Sequence, residues 1–127
     1  MLESEKAANL IHKHVLCDPN AAWVEAPRML FANNAAIANR SFATKLGALE
    51  PGAAADIIVV YYDPLTPMTA ENCDSHILFG MSGRSVVTTI IDGVVRMKDR
   101  ELVGIDEAAI MAKCREQAAA LSKRVNA

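Results

Sequence analysis

The chain has 127 residues, 52% of them hydrophobic and 22% charged, with a formal net charge of −2 at pH 7. That length supports one domain or part of a larger one, and this much apolar material excludes a disordered tail. The mildly acidic balance gives no nucleic-acid footprint, and no apolar run reaches the roughly 18 residues of a membrane span.

The opening MLESEKAANL carries acids where a secretory signal has a basic stretch followed by an apolar block. Leu2 to Leu16 contains neither Gly nor Pro, and Ala7, Leu10, Ile11 and His14 follow helical spacing. Asp18-Pro19 reads as a helix start, with Asp18 as cap and Pro19 in the first helical position. The helix after it is expected to break or kink near Pro27. A third helix is expected from about Met29 to Leu46, with Gly47 as its stop. Its small residues Ala32, Ala35, Ala36 and Ala38 allow another element to approach closely.

The composition then changes. Leu49-Glu50-Pro51-Gly52 is a turn, and Ala55 to Tyr62 is a nearly continuous apolar, β-branched run. Such a run suits a strand buried on both faces. Asp63-Pro64 ends it, a polar loop runs to about Ser75, and a short helical turn is expected from His76 to Met81. Ser85–Ile91 and Val94–Lys98 flank Asp92-Gly93, a two-residue turn that favours positive φ at both positions. Asp99-Arg100 makes a further turn, and Glu101–Val103 adds a short strand. A last helix from Asp106, its N-cap, to Val125 lines up Ile110, Cys114, Ala118, Leu121 and Val125 on one face. The fold class is α+β. Covering both faces of Ile57–Tyr62 needs more strands than the chain supplies, so partners are expected from a longer polypeptide or a second copy.

The candidate chemistry is sparse. His12-Lys13-His14 on a strand would put both imidazoles on one face for a metal, but on a helix residues two apart diverge. The reading is a helix with one buried and one solvated histidine. Cys73, Asp74 and His76 contain a thiol and a base within one helical turn, with nothing to orient the base. Gly80-Met81-Ser82-Gly83-Arg84 lacks the spacing of a phosphate loop and reads as a helix-to-strand turn. Asp56 suits hydrogen bonds to local backbone amides. No residue is assigned a catalytic, cofactor-binding or metal-binding role. Cys17, Cys73 and Cys114 are odd in number and far apart, which fits a reducing cytoplasm better than a disulfide framework.

Two segments resemble a known family. LGALEPGAAADIIVV, from Leu46 to Val60, resembles the LG-x-L-x-PG-x-x-AD signature of the amidohydrolase superfamily, and Val86–Met97 resembles its closing hairpin. Met29–Ala38 resembles the helix of its A-T-x-x-x-A segment, with Asn33-Asn34 standing where the threonine is expected. HILFGMSGR and MKDREL are similar to the chlorohydrolase- and guanine-deaminase-like subgroup, which includes aminohydrolases linked to selenium metabolism. The resemblance implies the terminal helices of a (β/α)8 barrel in 1–46, strands of a composite β-sandwich in 47–104 and a C-terminal helix in 105–127. It implies a C-terminal fragment of a cytoplasmic, metal-dependent hydrolase of C–N or C–Cl bonds in a small cyclic substrate. Zinc or another divalent metal is expected in the full-length parent, bound by ligands outside this chain, because His12 and His14 do not fall at the family's H-x-H. The isolated chain is then inactive and structural. Its expected partners are the parent's N-terminal barrel and sandwich strands or further copies of itself, with no nucleic acid and no membrane. The alternative is a stand-alone α+β module for oligomerisation or binding.

Overall fold

A computed structural model describes residues 1–125. Residues 126–127, the end of the expected 105–127 unit, lie outside the described residues. The architecture is α+β: a helical layer in the first third, a four-stranded antiparallel sheet and a terminal helix.

Helix α1 spans Leu2–Leu16, as its composition predicts, and ends at Cys17 in the left-handed region (φ 51). Its inward face is polar. Glu5 and Asn9 are its buried residues, whereas Leu10, Ile11, Val15 and Leu16 are exposed. The polar stripe Glu5, Asn9 and Lys13 recurs every fourth residue and so lies on one face. That face closes the turn between α1 and the next helix. Asn9 Nδ2 donates to the Ala22 carbonyl at 2.7 Å, and Lys13 Nζ donates to the carbonyls of Pro19 and Ala21 at 2.6 and 2.7 Å. The Lys13 ammonium also stands 4.0 Å over the Trp23 ring centroid.

Asp18 does accept a hydrogen bond, from the Asn20 amide at 2.8 Å, but it caps a turn and not the expected helix. Helix α2 starts later, at Glu25–Arg28, and runs through a π-helical turn at Met29–Asn33 into α3, Asn34–Ala38. Pro27 therefore does not break a helix. It sits in the first turn, where a backbone N–H has no intrahelical acceptor to lose. The expected extension to Leu46 also fails: α3 ends at Ala38. Asn39 explains the end. Its side chain accepts from the Leu46 amide at 2.8 Å and donates to the Leu46 carbonyl at 3.1 Å, and this competes with the helical ladder. Gly47 is not a helix stop. With φ 75 it passes α3 so closely that a Cβ there would lie 2.7 Å from Ala35 Cβ.

The sheet order is β1-β2-β3-β4, from β1 (Ile57–Val60), β2 (Val86–Ile91), β3 (Val94–Lys98) and β4 (Glu101–Leu102). Among the described residues strand β1 pairs only with β2 and is an edge, with Ile58 and Val59 exposed, so the doubly buried environment read from its sequence is not formed by them. Between β1 and β2 lie helix α4 (Cys73–Ser75), a π-helical turn at His76–Gly80 and a 3₁₀ turn at Gly83–Ser85. Leu78, on the π turn, is 1% exposed and is the best-buried apolar side chain among the described residues. Beside it Phe79 meets Trp23 edge-on, 5.5 Å between ring centroids, and this joins the π turn to the helical layer. Helix α5, Glu107–Val125, starts at the predicted cap, where Asp106 Oδ1 accepts from the Ala109 amide at 3.0 Å. Its predicted apolar face exists but is uncovered: Ile110, Leu121 and Val125 are all exposed.

Candidate functional site

The two signature segments meet in space. Glu50-Pro51-Gly52-Ala53 closes a turn through the Ala53 amide and Glu50 carbonyl at 3.2 Å, with Gly52 at φ 90 in the position that favours glycine. This turn feeds Asp56 to the start of β1. Asp92 and Gly93, at φ 50 and 73, form the tight turn between β2 and β3. Asp56 Oδ1 then accepts from the Asp92 amide at 2.7 Å, and the Ala55 carbonyl accepts from the Gly93 amide at 3.1 Å. Asp56 thus bonds a backbone amide, as expected, but that of a turn 36 residues away. In this chain it acts as a clamp on the hairpin.

The titratable candidates are dispersed. His12 and His14 are both exposed on α1, so neither is the buried histidine of the expected pair. His12 Nδ1 bonds the Ala8 carbonyl of its own helix at 2.8 Å. Cys73 and His76 line different spaces. Cys73 faces an apolar groove of about 510 Å³ together with Leu30, Phe31, Ile58, Met68 and Ile77. His76 lines a separate cleft of about 440 Å³ with Tyr62, Thr66, Asn72, Ser75 and Phe79. The thiol is therefore not paired with that imidazole. His76 Nδ1 instead shares a 2.7 Å hydrogen bond with the Tyr62 hydroxyl. Gly80 makes room for this pair, because a Cβ there would overlap the Tyr62 hydroxyl. Sequence reasoning missed Tyr62. The one available signal was a polar-tipped aromatic at the end of an apolar run, which needs a partner when it is part-buried.

The run Gly80–Arg84 is a helix-to-strand connection, as read. The Ser82 amide donates to Ser85 Oγ at 3.3 Å. Gly83 has a further role: its amide donates to Glu3 Oε1 at 2.9 Å, tying the first turn of α1 to the residues before β2. That bond holds the Glu3 carboxyl below its ordinary pKa. Glu5, two residues on, is shifted the opposite way: burial raises its pKa, and Asp74 adds to the effect. Among the described residues no three His, Cys, Asp or Glu side chains are grouped to hold a metal ion. Among the described residues no helix is long and apolar enough to cross a membrane.

The pattern that joins the clamp to the hairpin has a wider match. The model of the amidohydrolase family matches residues 1–96, which include both Asp56 and the Asp92-Gly93 turn. The chain belongs to the amidohydrolase family. It is similar to 5′-deoxyadenosine deaminase of Methanosarcina mazei, with 31% identity over 128 residues that cover 99% of this chain and 28% of the relative. It is also similar to 5-methylthioadenosine/S-adenosylhomocysteine deaminase of Thermococcus onnurineus, with 37% identity over 103 residues, 80% of this chain and 23% of the relative. The 5-methylthioadenosine/S-adenosylhomocysteine deaminase of Halobacterium salinarum is 40% identical over 80 residues, 61% of this chain and 18% of the relative. The chain spans about 28% of the length of the first of these relatives. In this amidohydrolase chain the family pattern coincides with a fold-holding contact, not with a cluster of reactive side chains.

Proposed function

We propose that this chain serves as the C-terminal part of a metal-dependent amidohydrolase, one that hydrolyses a C–N bond, or by analogy a C–Cl bond, in a small cyclic substrate. The observation that carries the reading is the proportion of the match. A relative that bears a deaminase name aligns with 99% of this chain, yet the chain spans 28% of that relative. The names of the relatives favour deamination of an adenine nucleoside within that class. HILFGMSGR and MKDREL support the chlorohydrolase- and guanine-deaminase-like subgroup, which includes aminohydrolases linked to selenium metabolism.

In this reading the divalent metal is held elsewhere in the enzyme, since the described residues offer no donor set that fits one. Such a metal, when bound, generates a hydroxide nucleophile near neutral pH. The chain's own residues do structural work. The terminal barrel helices correspond to 1–46, the sandwich strands to 47–104 and the closing helix to 105–127, in a cytoplasmic enzyme. The free edge of β1 and the exposed side chains Ile58, Leu10 and Ile11 support contact with the barrel and sandwich strands of the parent.

A stand-alone oligomerisation module is the second reading, favoured by the exposed apolar stripe of α5 at Ile110, Leu121 and Val125. One experiment separates the two. The chain is assayed for ammonia release from 5′-deoxyadenosine with zinc present, alone and as part of the polypeptide encoded by an in-frame upstream extension. Activity only in the longer polypeptide is expected. Turnover by the isolated chain would overturn the first reading. A stable discrete oligomer with no activity in either form would favour the second.

A further inference from the structure

Glu5 is 6% exposed, and neither of its carboxylate oxygens has a hydrogen-bond partner among the described residues. One turn further along the same face, Asn9 is fully buried, and its Oδ1 likewise has no donor. The Asn9 amide nitrogen is committed to the Ala22 carbonyl. Two successive turns of α1 therefore hold three buried acceptors that no donor among the described residues reaches, and of the two residues Glu5 is the one that lines a cavity. A charge taken out of water without a partner is costly, so such a carboxylate either accepts a proton or meets a cation.

The space beside Glu5 indicates which cation. A cavity of about 180 Å³ borders Glu5, with Met1, Ala8, Ala26, Met29 and Leu30 as apolar walls and Ser4 and Asn34 as polar ones. It suits a group with a short aliphatic stem and a cationic, donor-only head. A primary ammonium supplies three donors and a guanidinium five, and neither has an acceptor that would clash with the orphaned oxygens. A hydrated metal ion fits poorly, because the walls offer no second carboxylate. We propose that Glu5 is the receptor for an alkylammonium or alkylguanidinium group, delivered by a free amine or by a lysine or arginine of a neighbouring protein surface.

The raised pKa of Glu5 agrees with this: without a cation, burial and, second to it, the negative charge of Asp74 both favour the neutral acid. The neighbouring charged groups of α1 are engaged elsewhere: the Lys6 ammonium stands 5.8 Å over the Phe79 ring, and the Glu3 carboxylate accepts from the Gly83 amide. The proposal does not depend on the hydrolase reading.

The test uses the whole chain, isotope-labelled, at pH 7.5 and constant ionic strength. n-Propylammonium chloride is titrated in, with n-propanol as the neutral isostere, and the amides of Ala8, Ala26 and Asn34 are followed by NMR. Saturable shifts at least tenfold tighter for the amine than for the alcohol are expected, weakened at least tenfold in Glu5→Gln. The Glu5 carboxyl titration, followed by carbon detection in the wild type, is expected to move to lower pH when the amine is saturating. That second readout stands even if the variant folds poorly. Shifts that appear on raising protein concentration alone, and vanish in Glu5→Gln, identify a side chain of a second copy as the source. Equal response to amine and alcohol, or a Glu5 titration indifferent to the amine, overturns the proposal.

Discussion

The hairpin and the first helix form for different reasons, and the contrast separates what this chain seals by itself from what it leaves open. In the hairpin, Asp92-Gly93 sets the turn, the pairing Ile91↔Val94 follows, and Asp56 clamps the turn from outside. Local sequence and tertiary contact agree. In α1 they diverge. The helix forms over the predicted span, yet it buries Glu5 and Asn9 and exposes Leu10 and Ile11. Asn9 and Lys13 hold the polar face through hydrogen bonds to the carbonyls of Pro19, Ala21 and Ala22, while Glu5 is buried there without a partner among the described residues. Under the proposed function, the apolar residues of α1 are covered by the rest of the enzyme.

Removing Leu78 tests this contrast most severely. Leu78→Ala deletes the best-buried apolar side chain among the described residues and should cost about 2–5 kcal/mol. Hydrogen exchange is expected to show α1 and α2 losing protection while the amides of β2 and β3 keep theirs. Simultaneous loss in both regions would mean that they are one cooperative unit. Next in size, Gly80→Ala forces a Cβ into the Tyr62 hydroxyl and should cost about 1–3 kcal/mol in denaturant melts. Tyr62→Phe in the same background is expected to recover part of that loss.

Smaller effects probe the hairpin alone. Asp56→Ala removes the acceptor of the Asp92 amide and should cost about 1 kcal/mol, whereas Asp56→Asn keeps an oxygen there and should cost less. Equal losses would show that the contact contributes through charge and not through acceptance. At the β3–β4 turn, Asp99 and Arg100 adopt φ 52 and 68 without a glycine. Arg100→Gly is expected to stabilise by about 1 kcal/mol, read as a rise in melting temperature.

The first turn of α1 supplies a pH test with two opposite signs. Glu5 has a raised pKa in the fold, so its site is most stable when protonated, and that stability is lost as pH rises through the folded pKa. Glu5→Gln should therefore raise the melting temperature at neutral pH, with the gain fading as pH falls below the ordinary value of 4.5. Glu3 has a lowered pKa, so its contribution is present above 4.5 and is lost as pH falls through its folded pKa. Glu3→Gln should lower the melting temperature at neutral pH by a small amount, and the difference should vanish in acid. Melting curves of both variants from pH 3 to 8 check the signs.

Much of this was legible from residues. The turns at Pro51-Gly52, Asp92-Gly93 and Asp99-Arg100 follow from which side chains tolerate a given φ, a local property. The span of α1 follows from its lack of Gly and Pro, and the family from two motifs, Leu46–Val60 and Val86–Met97, of which the match to residues 1–96 covers all but the last residue. The early end of α3 was not legible, because an alanine-rich stretch gives no sign that Asn39 will bond across to Leu46. The role of Asp56 was half legible: an acid beside a turn is expected to accept an amide, but which amide depends on a strand pairing far along the chain.

By itself the sequence determined where the chain turns and where it runs as helix or strand, because those choices depend on backbone freedom and side-chain shape within a few residues. Only the tertiary structure decided which way each element faces. It turned α1 onto its polar stripe, left β1 at a sheet edge, and sent His76 to Tyr62 instead of Cys73. Facing is settled by the hydrogen-bond partners and apolar surface that distant segments bring, and a local pattern of residues carries no record of either.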